Sequence, residues 1–283
     1  MTVLIIGGSG FLGGELTRQA IAAGHTVTAT FGTRAGALPG AEWRRLDLRR
    51  PEAITSLFEE VRPTVVINTA YRRSDWATTA DGAIRVALAA VGQGARLVQV
   101  SSDTVFSGDR VHYDEDSLPD PVTPYGAAKA AAETAIRLLD PTAVIARTSL
   151  IIGDGGSVHE SLVHDLATGR RDGALFTDDV RCPVHVGDLA AALLELAFSD
   201  YGGVCHVAGS DAVSRYELGT LIARRDGLDP CALTAGKRAE MGPPGPLDVR
   251  LKSDRTQSRI STVLRGAREF LAAPVSKKDE PGR

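Results

Sequence analysis

The chain has 283 residues, of which 43% are hydrophobic and 24% charged, and its formal net charge is -3. This composition is typical of a globular protein and gives no electrostatic preference for nucleic acid. Cys182, Cys205 and Cys231 are far apart in the sequence and odd in number, so they suggest neither a disulfide framework nor a zinc cluster. No basic leader and no run of ~20 apolar residues occurs, so we expect a cytoplasmic protein that does not interact with membranes.

The first half of the chain alternates short β-rich runs with helical patterns. Strands are predicted at residues 2–6, 25–30, 42–46, 63–70, 95–102 and 142–149. Helices are predicted at residues 11–24, 51–61 and 81–94, and from residue 123 onwards. This order predicts an α/β fold, a Rossmann-type doubly wound parallel sheet with helices on both faces. We expect residues 1–150 to form a dinucleotide-binding domain.

The second half is less regular and richer in glycine. Helices are predicted at residues 157–169, 186–199 and 214–227, and a strand at residues 203–209. Residues 242–253 are predicted to be irregular, because their prolines lack amide donors. We expect residues 151–283 to form mainly a smaller C-terminal substrate-binding lobe, with some segments returning to the first domain.

A glycine-rich turn follows the first predicted strand. The stretch "LIIGGSGFLGGEL" carries Gly7, Gly10 and Gly13 between a strand and a helix. Small residues at this spacing let a pyrophosphate approach the backbone, and the helix N-terminus then faces the anion. The order of strand, turn and helix favours a dinucleotide site that includes Phe11 and Leu12. The alternative is a tight βα turn without a ligand.

The end of the second predicted strand bears on the choice of cofactor. NAD-selective sites usually carry an acidic residue there, but this stretch ends in Thr33 and Arg34 without a carboxylate. Arg34 is a candidate for a 2′-phosphate, or it is a solvated loop charge. We expect a preference for NADP(H), with NAD(H) as an option. Asp47 is a candidate contact for the adenine amino group, or a surface carboxylate.

Tyr125 and Lys129 lie four residues apart in "TPYGAAKAAAE", so a helix places them on one face. A cation beside a tyrosine lowers its pKa from the usual value of about 10. Such a tyrosine can give a proton to a carbonyl oxygen as hydride reaches the carbon. Lys129 can also bind a ribose hydroxyl. The alternative is a pair of ordinary surface residues.

A hydroxyl that could hold the same carbonyl oxygen occurs in "VQVSSDTVF", at the end of a predicted strand. Together with "GGSGFLG", "NTA" at residues 68–70 and the Y-x-x-x-K pair, this constellation resembles the extended short-chain dehydrogenase/reductase superfamily. The resemblance implies that Ser102 orients the carbonyl and that Tyr125 is the acid or base. It also implies that Lys129 lowers the pKa of Tyr125 and binds the ribose. Leu48 and Ala70 complete the predicted cofactor contacts.

Longer stretches resemble the dTDP-4-dehydrorhamnose reductase family. They cover residues 100–133, 146–153, 181–197, 203–223 and 245–257. This resemblance implies that NADPH or NADH reduces a 4-keto group on a nucleotide-activated 6-deoxy sugar, a step of deoxysugar biosynthesis. Related dehydratases carry adjacent Asp and Glu after the hydroxyl residue, whereas Ser102 is followed by Asp103 and Thr104. The missing glutamate favours a reductase and leaves Asp103 as a candidate substrate contact or a turn carboxylate.

Several positions depart from the family pattern. Leu150 stands where the reductases usually have a tryptophan near the sugar. Tyr71, Arg72 and Arg73 replace small residues, and Thr79 stands near the position of an asparagine that supports a water relay. These changes leave the identity of the sugar open.

A nucleotide-sugar substrate also needs groups that hold its diphosphate. Guanidinium groups suit this task, and the candidates are Arg147, Arg181, Arg250 and Arg255. The resemblance places "VRLKSD" on the substrate side and so favours Arg250 and Lys252, with solvated charges as the alternative. No histidine spacing suggests a metal site.

The sequence thus predicts an NADP(H)-preferring ketoreductase of nucleotide sugars. One alternative is an epimerase that holds NAD tightly, and another is a non-catalytic nucleotide-binding regulatory subunit. The alanine-rich face of the Tyr125 helix suits a homodimer, although an intrasubunit contact explains it equally well. The nucleotide, the product stereochemistry and the oligomeric state stay open.

Overall fold

The computed structural model describes residues 1–272. The first half of the chain follows the predicted alternation of strands and helices. Its elements are β1 (Thr2–Ile6), α1 (Phe11–Ala22), β2 (Thr26–Phe31), β3 (Ala41–Arg45), α2 (Pro51–Val61), β4 (Val65–Asn68), α3 (Gly82–Gln93), β5 (Arg96–Ser102), β6 (Val111–Tyr113), α4 (Pro124–Leu139) and β7 (Val144–Thr148). A π-helical turn, Ala77–Asp81, precedes α3, and a 3-10 turn, Asp103–Val105, follows β5.

The second half consists of shorter elements. They are β8 (Ile151–Ile152), α5 (Val158–Ala167), β9 (Leu175–Phe176), β10 (Val180–Arg181), β11 (Val184–His185), α6 (Val186–Ala197), β12 (Gly203–His206), β13 (Val213–Ser214), α7 (Arg215–Arg225), β14 (Ala235–Gly236), α8 (Arg238–Met241), β15 (Val249–Leu251), α9 (Asp254–Gln257) and α10 (Ala267–Phe270). A 3-10 turn, Pro230–Ala232, lies between α7 and β14. Within residues 1–272, no helix has the length and apolar character needed to cross a bilayer.

The central sheet has seven parallel strands in the order β12-β7-β5-β4-β1-β2-β3. From β1 the chain moves to one edge through β2 and β3, and then crosses to the other side of β1 to form β4. This reversal opens a crevice at the carboxyl ends of β1 and β4, where ligands bind in such sheets. The predicted Rossmann-type fold is confirmed.

Helices cover both faces of the sheet because its central strands are apolar on both sides. In β1, Val3 and Ile5 pack toward α1 and α6, while Leu4 and Ile6 pack toward α2, α3 and α4. Although α6 and β12 come from the second half of the chain, they complete the sheet and one of its helical layers. The division at residue 150, with some later segments returning to the first domain, stays a prediction.

The expectation of irregular structure throughout residues 242–253 is wrong. The strand β15 pairs in parallel with β6, and the backbone N–H of Lys252 donates to the carbonyl of Tyr113 at 2.8 Å. The prolines end at Pro246, so the residues of β15 keep their amide donors. This pairing brings residues 249–252 against the segment that follows β5.

Candidate active site

A cavity of about 690 Å³ lies at the carboxyl ends of the central strands. Its walls come from the phosphate loop, the first turns of α4 and several loops of the second half. The predicted site residues that line it are Gly7, Gly10, Phe11, Leu12, Gly13, Asp47, Leu48, Ala70, Ser102, Asp103, Tyr125 and Lys129. The structure does not bring Arg34, Arg250 or Lys252 to this cavity.

The phosphate loop forms a cradle that side chains would fill. Gly7 has a φ of +86°, and a Cβ there would lie 2.8 Å from Oγ1 of Thr69. A Cβ on Gly13 would overlap the carbonyl oxygen of Gly7. Gly10 caps α1 without a side-chain hydrogen bond, so free N–H groups of the first turn face the cavity. These features fit a dinucleotide pyrophosphate.

The part of the cavity beside the ends of β2 and β3 contains an arginine that sequence reasoning missed. Arg45 ends β3 opposite Phe31 of β2, lines the cavity and donates from Nε to the Gly32 carbonyl at 3.3 Å. Arg34 instead lies exposed in the bend after β2. The third predicted strand carries Arg44 and Arg45 near its end, a signal that could have drawn attention to this pair without choosing between them, because ligands bind outside the carboxyl ends of parallel strands.

Asp47 also lines this end of the cavity. Its carboxylate pairs with the Arg49 guanidinium at 2.6 Å, and that hydrogen-bonded pair holds the pKa of Asp47 well below its usual range. Asp47 is therefore an ionised hydrogen-bond acceptor, which suits an adenine amino group.

The start of α4 places the predicted catalytic pair. The Thr123 hydroxyl accepts from the Gly126 N–H at 3.1 Å, and Pro124 occupies the first turn. A Cβ on Gly126 would overlap the Thr104 carbonyl oxygen, so only glycine lets α4 come this close to the turn after β5. Both Tyr125 and Lys129 then line the cavity.

The Ser102 hydroxyl belongs to a compact hydrogen-bond network. Its Oγ donates to Asp103 Oδ1 at 3.2 Å and accepts from the Thr104 hydroxyl at 3.0 Å. The buried Asp103 also accepts from Ser149 Oγ at 2.7 Å and lies 3.6 Å from Arg181 Nε. Asp103 therefore holds the serine and ties it to the opposite wall of the cavity.

Burial dominates the protonation of the Tyr125–Lys129 pair. Burial raises the pKa of Tyr125. Tyr71 and Asp103 act in the same direction, whereas Arg73 lowers this pKa. Burial also lowers the pKa of Lys129 to about 8. The direction of the pKa shift of Tyr125 is opposite to the one that the Tyr–Lys spacing predicts, because desolvation of the phenol outweighs the effect of the Arg73 cation.

Three arginines of the second half share one carboxylate on the far wall. Buried Asp179 lies 3.0 Å from Arg181, 3.5 Å from Arg215 and 2.8 Å from Arg238. All three guanidinium groups line the cavity, and Nη1 of Arg215 is 3.3 Å from Nδ1 of His159. Burial lowers the pKa of Arg215, and its arginine neighbours act in the same direction. We call Arg181, Arg215, Arg238 and Asp179 the arginine cluster.

Of the four arginines considered for a diphosphate, Arg181 lines the cavity and the others do not. The other three are paired elsewhere, Arg147 with Glu133 at 2.8 Å, Arg255 with Asp116 at 3.0 Å and Arg250 with Asp248 at 2.8 Å. Sequence reasoning missed Arg215 and Arg238, because nothing local marks residues that meet only through packing.

The positions that depart from the family pattern fall into two groups. Leu150, Tyr71, Arg72 and Arg73 line the cavity. Thr79 is buried in the π-helical turn, where its hydroxyl donates to the Arg72 carbonyl at 2.7 Å and accepts from the Arg72 N–H at 3.0 Å. Thr79 thus fixes the loop that carries Arg73.

The family is decided by comparison with known proteins. Residues 1–278 match the family described as the RmlD substrate binding domain. The chain belongs to this family. The predicted place among the extended, dTDP-4-dehydrorhamnose reductase-like short-chain dehydrogenases/reductases is therefore confirmed.

Individual relatives match over most of their length. The spore coat polysaccharide biosynthesis protein SpsK of Bacillus subtilis is 32% identical over 82% of this chain and 82% of its own. The dTDP-4-dehydrorhamnose reductase of Mycolicibacterium smegmatis is 31% identical over 97% of this chain and 85% of its own.

Two solved structures share the fold. A hypothetical dTDP-4-dehydrorhamnose reductase from Sulfolobus tokodaii is 27% identical, with a TM-score of 0.81 over 94% of this chain and 97% of that one. The dTDP-4-dehydrorhamnose reductase of Bacillus anthracis, solved with NADP, is 24% identical, with a TM-score of 0.80 over 96% and 97% of the two chains.

Proposed function

We propose that this protein is an NAD(P)H-dependent reductase of the keto group of a nucleotide-activated 6-deoxy sugar, of the dTDP-4-keto-6-deoxyhexose type. One observation carries the proposal: Ser102, Tyr125 and Lys129 share a single cavity with the phosphate-loop cradle. The oxidoreductase class agrees with the dTDP-4-dehydrorhamnose reductases among the relatives.

Ser102 and Tyr125 act on the ketone oxygen. The bound nicotinamide supplies the hydride that reaches the ketone carbon. The Ser102 hydroxyl turns from Asp103 to donate a hydrogen bond to the oxygen, and Tyr125 transfers its phenolic proton to it. The raised pKa of Tyr125 keeps the phenol protonated at neutral pH, as a proton donor requires. General acid catalysis of this kind contributes roughly 10²–10⁴-fold in rate.

Lys129 holds the cofactor ribose and the geometry of α4. Its Nζ donates to the Val100 carbonyl at 2.9 Å, which uses one of three ammonium donors and leaves the others for the ribose hydroxyls. Lys129 is only 3% exposed, so its side chain is held inside the fold at the wall of the cavity.

NADP(H) is the preferred cofactor and NAD(H) is an option. The end of β2 lacks a carboxylate that would repel a 2′-phosphate, and Arg45 reaches the cavity beside it. A guanidinium can bind such a phosphate through two parallel hydrogen bonds. A contact between Arg34 and the same phosphate stays a prediction.

The arginine cluster binds the diphosphate of the substrate. Three guanidinium groups share the single Asp179 carboxylate, so this wall carries excess positive charge. Arg181 contacts Asp103, the residue next to Ser102, which supports a diphosphate position near the sugar. Arg250 and Lys252, which do not line the cavity, stay predictions for binding the substrate. A homodimer, a cytoplasmic location, and the absence of nucleic-acid and membrane partners also stay predictions.

The test is turnover with a panel of nucleotide-linked 4-keto-6-deoxy sugars, followed by the loss of NADPH or NADH absorbance. We expect oxidation of NADPH or NADH that depends on the added sugar. In the Tyr125→Phe protein we expect kcat to be lower by about 10²–10⁴-fold and NADPH binding to be unchanged. Tyr216→Phe removes the same atom outside the cavity and is the matched control. Full turnover by Tyr125→Phe would overturn the proposal. NAD that copurifies with the protein, without consumption of NADPH, would favour the epimerase. Copurification with a larger enzyme would favour the regulatory subunit.

A further inference from the structure

Arg73 lies against the proposed proton donor. It belongs to the loop between β4 and the π-helical turn, and its guanidinium carbon lies 5.6 Å from the centroid of the Tyr125 ring. The neighbouring Tyr71 ring lies 5.5 Å from the same ring at an interplanar angle of 50°. Because Thr79 binds both backbone groups of Arg72, the guanidinium approaches Tyr125 from a loop that is anchored.

The groups that face Tyr125 come from three elements. Tyr71 and Arg73 lie on the loop after β4. Ser102 is the last residue of β5 and Asp103 follows it, while Lys129 lies on α4 itself. The Asp103 carboxylate disfavours a negative phenolate, whereas a cation favours it.

Lys129 is a weaker cation for Tyr125 than its spacing suggests. Its Nζ donates to the Val100 carbonyl and lies 5.5 Å from the centroid of the Tyr71 ring. Burial lowers the pKa of Lys129 to about 8, so its charge is lost at mildly alkaline pH. A guanidinium, unlike an ammonium, is not deprotonated in proteins.

We propose that Arg73 is a positioning residue that acts through Tyr125: its guanidinium stabilises the phenolate across the ring face and is a second cation beside Lys129. Its catalytic consequence rests on the proposed function, but its contact with the phenol does not. A cation over an aromatic face is attracted by the ring, and more strongly once the ring carries negative charge.

The role follows the proton through the reaction. Hydride adds to the ketone carbon, the oxygen takes the Tyr125 proton, and the phenolate is left to be reprotonated from water. Arg73 stabilises that phenolate and so makes Tyr125 the stronger acid. In the reverse direction, the same phenolate takes the proton of the substrate alcohol.

The direct test is the titration of Tyr125 by NMR, with carbon-13 at Cζ of the five tyrosines. Tyr125→Phe assigns the resonance, and the protein is titrated with and without NADP⁺ from neutral pH to about pH 11. With NADP⁺ bound, whose oxidised ring adds positive charge beside the phenol, we expect ionisation of Tyr125 to begin within this range. Arg73→Gln is expected to raise the pH of this onset by about one unit, and Arg73→Lys to restore most of the shift.

Arg72→Gln is the matched control, because Arg72 also lines the cavity and carries the same charge but does not lie over the Tyr125 ring in the described structure. We expect it to move the onset by less than about 0.3 unit. An unchanged onset in Arg73→Gln, an equal shift in Arg72→Gln, or a wild-type Tyr125 that stays protonated across the range with NADP⁺ bound would each overturn the proposal.

A kinetic measurement checks the consequence. In the reverse direction, the rise of kcat/KM with pH should move to higher pH in Arg73→Gln, while NADP⁺ affinity stays the same. A purely structural effect of the substitution would lower the rate at every pH without moving the profile. If the wild-type protein reduces none of the sugars, the proposed function fails while the NMR titration still decides the role of Arg73.

Discussion

The two ends of the cavity are built from different parts of the chain. The cofactor end consists mainly of backbone, with Gly7, Gly13 and the free N–H groups of α1 around the pyrophosphate position. The substrate end consists of charged side chains, with three guanidinium groups held by Asp179. The cofactor end depends on the absence of side chains, and the substrate end depends on a balance of charges. A single added methyl group should therefore damage the cofactor end, and the loss of a single charge should damage the substrate end.

The largest effect is expected at Asp179, on which the substrate end depends. Asp179→Asn leaves three guanidinium groups without their shared buried carboxylate, so we expect a loss of about 3–5 kcal/mol in the free energy of unfolding. Urea denaturation measures it. The control is Asp165→Asn, which breaks an exposed pair with Arg170 and should cost about 1 kcal/mol or less. Equal losses in both variants would contradict the dependence on Asp179.

At the cofactor end, the test is to add one methyl group to the phosphate loop. Gly13→Ala places a Cβ against the Gly7 carbonyl, and we expect NADPH affinity to fall about 100-fold, or about 2.7 kcal/mol. Fluorescence titration measures the affinity, and circular dichroism checks the fold. Gly14→Ala is the control, since the nearest atom to its Cβ is 3.7 Å away. It should keep the affinity and stabilise α1 by up to about 1 kcal/mol. Normal binding by Gly13→Ala would show that the cradle is not the site.

A smaller effect is expected at Arg45, whose side chain adds selectivity for NADPH over NADH at the cofactor end. Arg45→Gln should weaken NADPH binding about tenfold, since hydrogen bonds to charged groups contribute about 1.5–3 kcal/mol, and leave NADH nearly unchanged. The neighbouring Arg44 pairs with Glu42 at 2.6 Å outside the cavity, so Arg44→Gln is the control. If both cofactors weaken equally in Arg45→Gln, Arg45 does not read the 2′-phosphate.

What could be predicted from the sequence follows the same division. The phosphate loop and the Tyr125–Lys129 pair are local patterns, so strand, turn and helix signals were enough to place them in one cavity. The Ser102 position followed from the end of a predicted strand. The position of Arg45 depends on the register between β2 and β3, which no local pattern gives.

The substrate end could not be predicted, for a physical reason. Asp179, Arg215 and Arg238 come from separate segments, and only tertiary packing brings their charges together. The direction of the Tyr125 pKa was also out of reach, because it depends on burial, whereas spacing shows only that a lysine is near. Likewise, the proline-rich stretch concealed β15, whose partner β6 is remote in sequence.

The most direct test of the central claim is to follow deuterium from the transferring position of NADPH into the sugar product by mass spectrometry. We expect one deuterium in each product molecule, one NADPH consumed for each, and almost no transfer in the Tyr125→Phe protein. A product that forms without deuterium and without NADPH consumption, or a Tyr125→Phe protein that transfers deuterium at the wild-type rate, would contradict the account.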